Sequence, residues 1–207
     1  AYAVHDLYDE HDKLLNIYDE CLKAGNPDLV IIFASTSKIT FPGAGVAMEA
    51  GSPNNVDILK SRMKYQTIGP DKLNQLRHAR MFKTKQALFN HMKKHADIIR
   101  PKFDTVLNAF DKYLAPTGTA EWSKPRGGYF ISLNVEKGCA KRTEELCANA
   151  GLILTPAGAA FPYGTDPDDS NLRIAPSYPS AKEIEIAAEV LCTAVRYAVL
   201  EKLLKEN

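Results

Sequence analysis

The chain has 207 residues, 26 basic against 25 acidic side chains, a net charge of +1 and 45% hydrophobic residues. That balance leaves no electrostatic footprint for nucleic acid or an anionic membrane surface, and neither is expected as a partner. No apolar run approaches the roughly 20 residues that span a bilayer, and no signal peptide or basic leader is visible, so a soluble, cytoplasmic protein is expected. Cys21, Cys139, Cys147 and Cys192 are scattered without Cys-x-x-Cys spacing. They read as buried free thiols, with no metal site and no disulfide framework.

In chain order, residues 1–7 read as the end of a strand entering a loop, with Tyr2 the informative residue. The chain opens without methionine, and a fragment or a processed chain is expected. Residues 12–24 carry Leu14, Leu15, Tyr18, Cys21 and Leu22 at helical spacing, closed by Gly25 and Pro27. Residues 29–34 form a short, continuous apolar run rich in β-branched residues, the pattern of a buried strand. Strand, helix and strand make a β-α-β unit with Tyr2 and Lys38 at one sheet edge.

The second strand ends in Ser35-Thr36-Ser37-Lys38, and a further apolar stretch, residues 45–50, follows a turn containing Pro42 and Gly43. Small hydroxyl residues at the carboxyl edge of a strand leave the chain open where α/β folds place ligands. Lys38 has two readings: a solvated loop charge, or a partly desolvated amine between two buried segments, activated as a Schiff-base nucleophile.

Ser52 and Pro53 start a helix carrying Val56, Leu59 and Met63, and Asp71 opens a long helical region. Lys83, Lys85, Lys93 and Lys94 read as its solvated face. Pro101 predicts a break or kink near Arg100, with a further helix to about residue 114 serving as a long interdomain helix. The stretch 115–118 is the expected boundary, giving domains 1–115 and 116–207. Beyond it come a short strand near residues 121–122, a turn through Gly127 and Gly128, a strand over 129–135, a helix over 139–150 and a strand over 152–155. A long loop, 155–170, precedes Asn171-Leu172-Arg173-Ile174-Ala175, and Ser180 with Glu183 forms a capping box for the last helix.

The segments YAVHDL, FASTSKITFPGAGVA, IGPDKLNQLRH, RGGYFISL, LTPAGAAFPYGTDP and NLRIAPSYPS occur in that order along the whole chain. Together they resemble the Ic subgroup of aspartate aminotransferases, among the fold-type I pyridoxal-phosphate enzymes, and they resemble the second half of such an enzyme. The fold implied is α/β: the remainder of a large cofactor domain with a mixed, mostly parallel sheet, joined by a long helix to an α+β small domain. The resemblance implies pyridoxal 5'-phosphate as cofactor, with Lys38 forming the internal aldimine and shuttling the substrate Cα proton. It also implies Tyr2 donating to the pyridine O3′, Ser35 and Ser37 at the phosphate, and Arg173 gripping the substrate α-carboxylate. Gly128, with Gly127 and Tyr129, lines the substrate entrance in this reading. The implied substrates are an amino acid and a 2-oxo acid, aspartate with 2-oxoglutarate. A homodimer is implied, with the amino-terminal half in the same or a partner chain; the isolated 207 residues are expected to bind cofactor poorly.

One departure stands out: where the better-known pattern has a phosphate-binding arginine, this chain has Gly43-Ala44-Gly45, and Arg80 is the candidate replacement. His5, Asp6 and His78 receive no role. Two other readings stay open: a lyase or decarboxylase on the same cofactor, and a non-catalytic effector-binding domain of a transcription regulator.

Overall fold

A computed structural model describes residues 6–9 and 13–206. Tyr2 and His5 lie outside the described residues. The chain divides into two compact units, Ala1–Ala96 and Asp97–Asn207, and the division falls inside one long helix.

In the first unit α1 (Ile17–Lys23) begins later than its apolar spacing predicts. The Asn16 side chain accepts from the Tyr18 N–H and caps the helix there, leaving Leu14 and Leu15 outside it. Strands β1 (Ile31–Ser35) and β2 (Ala47–Gly51) pair antiparallel, with Phe33 opposite Glu49 and Ser35 opposite Ala47. The Ser52 side chain accepts from Asn55 N–H to start α2 (Pro53–Gln66), and Asp71 does the same for α3 (Lys72–Met81) through Asn74 N–H.

Two sequence expectations change here. Phe33 is 63% exposed and Met48 50%, so the apolar run is not a buried strand. A ladder of two strands has no third neighbour among the described residues to cover it. The expected parallel pairing is also not seen: every strand pair among the described residues is antiparallel. A β-α-β crossover needs a strand before α1, and the sequence places that strand's end within residues 1–7, of which 1–5 lie outside the described residues.

Helix α4 (Lys85–Tyr113) is uninterrupted, contrary to the break expected at Pro101. Thr84 caps it, its hydroxyl accepting from Ala87 N–H. An interior proline removes one helical hydrogen bond and costs about 3 kcal/mol or more. Against that stands a buried stripe, Met92, Ala96, Ile99, Phe103, Val106 and Phe110, at helical spacing. Each large side chain fully buried returns roughly 1.5–3 kcal/mol, so packing carries the helix through the proline.

In the second unit a three-stranded antiparallel sheet has the order β3 (Ala120–Trp122), β4 (Ile131–Val135), β5 (Asn171–Ile174). Alternation puts Ile131, Leu133, Val135, Leu172 and Ile174 in the core and leaves Ser132, Asn134, Asn171 and Arg173 on the other face. Phe110 and Trp122 meet edge to face with ring centroids 5.4 Å apart. Helix α5 (Ala140–Asn149) packs on α6 (Ala181–Glu206), and the Arg142 guanidinium donates to both oxygens of Glu201 at 2.6 and 2.9 Å. The capping box at α6 forms as expected: Ser180 N–H donates to the Glu183 carboxylate at 2.7 Å, and Glu183 N–H to Ser180 Oγ at 3.3 Å.

Residues 152–155 do not form the expected strand. Leu152 N–H is taken by the Cys147 carbonyl at the carboxyl end of α5, so the segment leaves the helix without a ladder partner. Cys139, Cys147 and Cys192 are buried free thiols, and burial pushes Cys147 up to about 11 and Cys192 up to about 12. Both stay protonated and unreactive near neutral pH. No helix among the described residues is long and apolar enough to cross a membrane.

Candidate functional site

The first unit carries the turn that follows β1. Thr36 closes it: Thr36 N–H donates to the Val46 carbonyl at 2.9 Å, and Val46 N–H donates to Thr36 Oγ1 at 2.8 Å. The Thr36 carbonyl then accepts from Ile39 N–H, Thr40 N–H and the Thr40 hydroxyl, at 3.0, 2.9 and 3.0 Å. Ser37 N–H donates to Ser35 Oγ at 3.2 Å, and the Ser35 hydroxyl donates to Ser37 Oγ at 3.0 Å. Residues 36–46 are thus a hydrogen-bonded loop whose backbone is tied at its neck and at its first turn. Lys38 sits at the crest between the two serine hydroxyls and buried Ile39 and Thr40.

Gly45 explains the small residues in this loop. A Cβ there would lie 2.8 Å from the Ser37 Cα and N, closer than backbone tolerates. Any side chain at 45 would displace Ser37, and with it the neighbouring lysine, so an arginine at position 45 is incompatible with the turn.

Lys38 is exposed, and the desolvated lysine between two buried strands is corrected accordingly. The cause is the exposure of β1 and β2 themselves. Arg80, the candidate phosphate cation, is exposed in the last turn of α3. Arg77, from the same helix, meets the loop with its guanidinium 5.9 Å from the centroid of the Phe41 ring.

Arg173 belongs to the second unit, on β5 opposite Ser132 of β4. Its guanidinium lies over the Phe130 ring, 4.6 Å from the centroid, and its buried Nε has no hydrogen-bond partner among the described residues. A buried, unpaired guanidinium nitrogen is costly unless an acceptor meets it. A cavity of about 150 Å³ beside it is lined by Arg173, Thr155 and apolar side chains including Leu154, Ile174, Pro179 and Ile184. Gly128, buried at the entry to β4, has φ +82°, a left-handed value that favours glycine. The turn geometry is itself sufficient reason for that residue.

The strand bearing Arg173 is held by the long loop before it. The Asp166 carboxylate accepts from Asp168, Ser170 and Asn171 N–H at 3.0, 2.8 and 2.8 Å. Asp169 reaches α5, its carbonyl and carboxylate accepting from Ala140 and Lys141 N–H at 2.9 and 3.1 Å. These loop aspartates therefore supply both the strand's entry and the helix's cap.

The Ser170 N–H bond, foremost, holds the Asp166 carboxyl below the ordinary aspartate value. A depressed folded pKa gives stability that is present above the unfolded value and lost as pH falls through the folded one. We expect Asp166→Asn to lower the melting temperature at pH 7, and the gap from the parent protein to narrow as pH falls below about 4. Thermal melts from pH 7 to 2.5 check this; a gap independent of pH would show that the ionised carboxylate contributes nothing.

Two groups of α3 meet the loop that carries Lys38 and receive no role from the sequence: Arg77, over Phe41, and His78, at Thr36 and Thr40. Both come from α3, some 40 positions downstream. The only signal was the IGPDKLNQLRH segment itself, which contains both.

The full chain, residues 1–207, matches the family model described as aspartate amino-transferase. It is 44% identical over 201 residues to an aspartate aminotransferase of Corynebacterium glutamicum, covering 97% of this chain and 46% of that protein. A crystal structure of an aspartate transaminase from the same organism superposes with a TM-score of 0.92 at 44% identity, over 98% of this chain and 48% of that one. An alpha-aminoadipate aminotransferase of Thermus thermophilus, solved with N-(5'-phosphopyridoxyl)-L-leucine, shares the fold with a TM-score of 0.79 at 20% identity, over 97% of this chain and 49% of that one. The chain thus spans about half the length of the curated relatives it matches.

Proposed function

We propose, on the premise that this chain belongs to the aspartate amino-transferase family, that it forms the catalytic-lysine and carboxylate-binding part of a pyridoxal-phosphate transaminase acting on aspartate and 2-oxoglutarate. The observation that carries the reading is the loop after β1, where a tied backbone displays Ser35, Ser37 and the exposed amine of Lys38 together.

The donor set fits that cofactor. Serine hydroxyls and an ammonium group suit a phosphate and an aldehyde, and the unpartnered Arg173 Nε suits a carboxylate. When bound, the cofactor supplies the electron sink that lets an α-proton leave. The chain's own residues do the rest. Lys38 Nζ holds the cofactor, then takes the proton from substrate Cα and returns it on the far side of the exchange. Ser35 and Ser37 orient the phosphate. Arg173 fixes the α-carboxylate with a planar fork, which sets the direction of the Cα–H bond. Arg77, its guanidinium 5.9 Å from the Phe41 ring centroid, is the cation we assign in place of the absent arginine.

The test is a half-reaction by the protein at its natural length, with pyridoxal phosphate and aspartate. Oxaloacetate and aminated cofactor in equal amounts support transamination; carbon dioxide in their place would overturn it. Homodimerisation belongs to the same proposal, and sedimentation of the active preparation as a monomer would remove it.

A further inference from the structure

His78 is the side chain of α3 that enters the lysine loop. Its Nδ1 lies 2.8 Å from the Asn74 carbonyl, which can only accept, so Nδ1 carries a hydrogen. Nε2 then faces two hydroxyls, Thr36 Oγ1 at 3.0 Å and Thr40 Oγ1 at 2.8 Å. Thr36 and Thr40 flank Lys38 on either side, and Thr40 is only 3% exposed. They are also the two residues through which the first turn of the loop closes. The ring sits in an aromatic setting, its centroid 5.2 Å from that of Phe41 and 6.2 Å from that of Phe82.

From this geometry we infer that His78 is a positioning residue for Lys38: anchored to α3 through Nδ1, it holds the threonine pair around the lysine through Nε2, whose lone pair accepts one hydroxyl hydrogen at a time. This inference rests on the transaminase reading and adds to it a residue acting at one remove from the chemistry. The physical need is plain. Lys38 is exposed in the loop of a two-stranded ribbon, and the bonds of Thr36 to Ile39, Thr40 and Val46 tie the loop only to itself. The hydroxyl contacts of His78 bind it also to a helix. Misplacing a reacting amine by about 1 Å can cost on the order of a hundredfold in rate.

Two substitutions separate this role from packing. His78→Phe keeps a ring against Phe41 and Phe82 but has no nitrogen for the threonines. His78→Gln loses the ring but puts an amide where Nε2 meets the hydroxyls. Incubation of the natural-length protein with pyridoxal phosphate, borohydride reduction and peptide mass analysis gives the rate of labelling at Lys38. We expect that rate to fall about ten- to a hundredfold in His78→Phe and to stay within about threefold of the parent in His78→Gln. Amide hydrogen exchange supplies a readout without cofactor: residues 36–46 lose protection in His78→Phe, while the β3–β4–β5 ladder keeps its own.

The reverse order, with Phe preserving labelling and Gln losing it, would assign His78 to packing and overturn the inference. Equal labelling in all three proteins would overturn it too. Unselective labelling of the parent would instead remove the transaminase reading, and the inference with it; unchanged exchange at 36–46 in His78→Phe would defeat the positioning role by itself. Should His78→Phe lose the ladder's protection as well, Thr40→Val, which removes one hydroxyl at nearly constant shape, takes its place, with the same loss of Lys38 labelling expected and parent-like labelling overturning the inference.

Discussion

Replacing Lys38 with alanine is expected to lower transamination by about four orders of magnitude or more, the usual scale for removing a covalent catalytic group. The same substitution should leave the melting temperature almost unchanged, because the side chain is exposed and the loop is closed by bonds that do not use it, those of Thr36 with Val46 and Thr40. Surface changes of this kind stay within about 0.5 kcal/mol. Lys38→Arg should fail as completely as alanine, since a guanidinium keeps the charge but is not a nucleophile at neutral pH. Steady-state rates, thermal melts and borohydride trapping on one set of proteins check all of this. Turnover within tenfold of the parent in Lys38→Ala would refute the role assigned to Lys38.

Arg173→Gln is expected to reduce kcat/KM for aspartate by two to three orders of magnitude, on the scale of about 2–5 kcal/mol for losing one side of a buried charge-assisted pair. Arg173→Lys should recover little of it. The lysine point charge lacks the planar fork and cannot stack on Phe130 in the same manner. Leu172 and Ile174 hold the strand in the core from the other face, so the β4–β5 ladder should survive both changes. A simple structural role for Arg173 predicts the opposite, a large fall in melting temperature with an unchanged KM. Initial-rate kinetics against aspartate and melts of the same samples separate the two.

Much of the local structure was legible in the residues because it depends on neighbours in sequence. The Ser52 and Asp71 helix starts and the Ser180–Glu183 box are short-range bonds, and each forms where its pattern predicts, while the strand expected over 129–135 forms over Ile131–Val135. Family membership was legible for a related reason: six motifs in fixed order are a property of the sequence itself.

Other features depend on groups far apart in the chain. Pro101 reads as a helix breaker in isolation, but a buried stripe from Met92 to Phe110 carries α4 through it. Residues 152–155 have the apolar character of a strand, yet the carboxyl end of α5 takes the Leu152 N–H first. Residues 29–34 have a buried strand's composition, but composition cannot supply the neighbour that would bury them.

What the sequence by itself determined is therefore the identity of the chemical groups and their local backbone: an amine at 38 after small hydroxyls, an arginine at 173 in an apolar segment after a long loop, glycines where the loop needs them. What only the tertiary structure decided is how those groups are held. His78 reaches Thr36 and Thr40 across about 40 residues, and Asp169 caps α5 from 28 residues downstream. Such contacts have no period and no adjacent partner to betray them, because they exist only once loop closure has brought the two segments together.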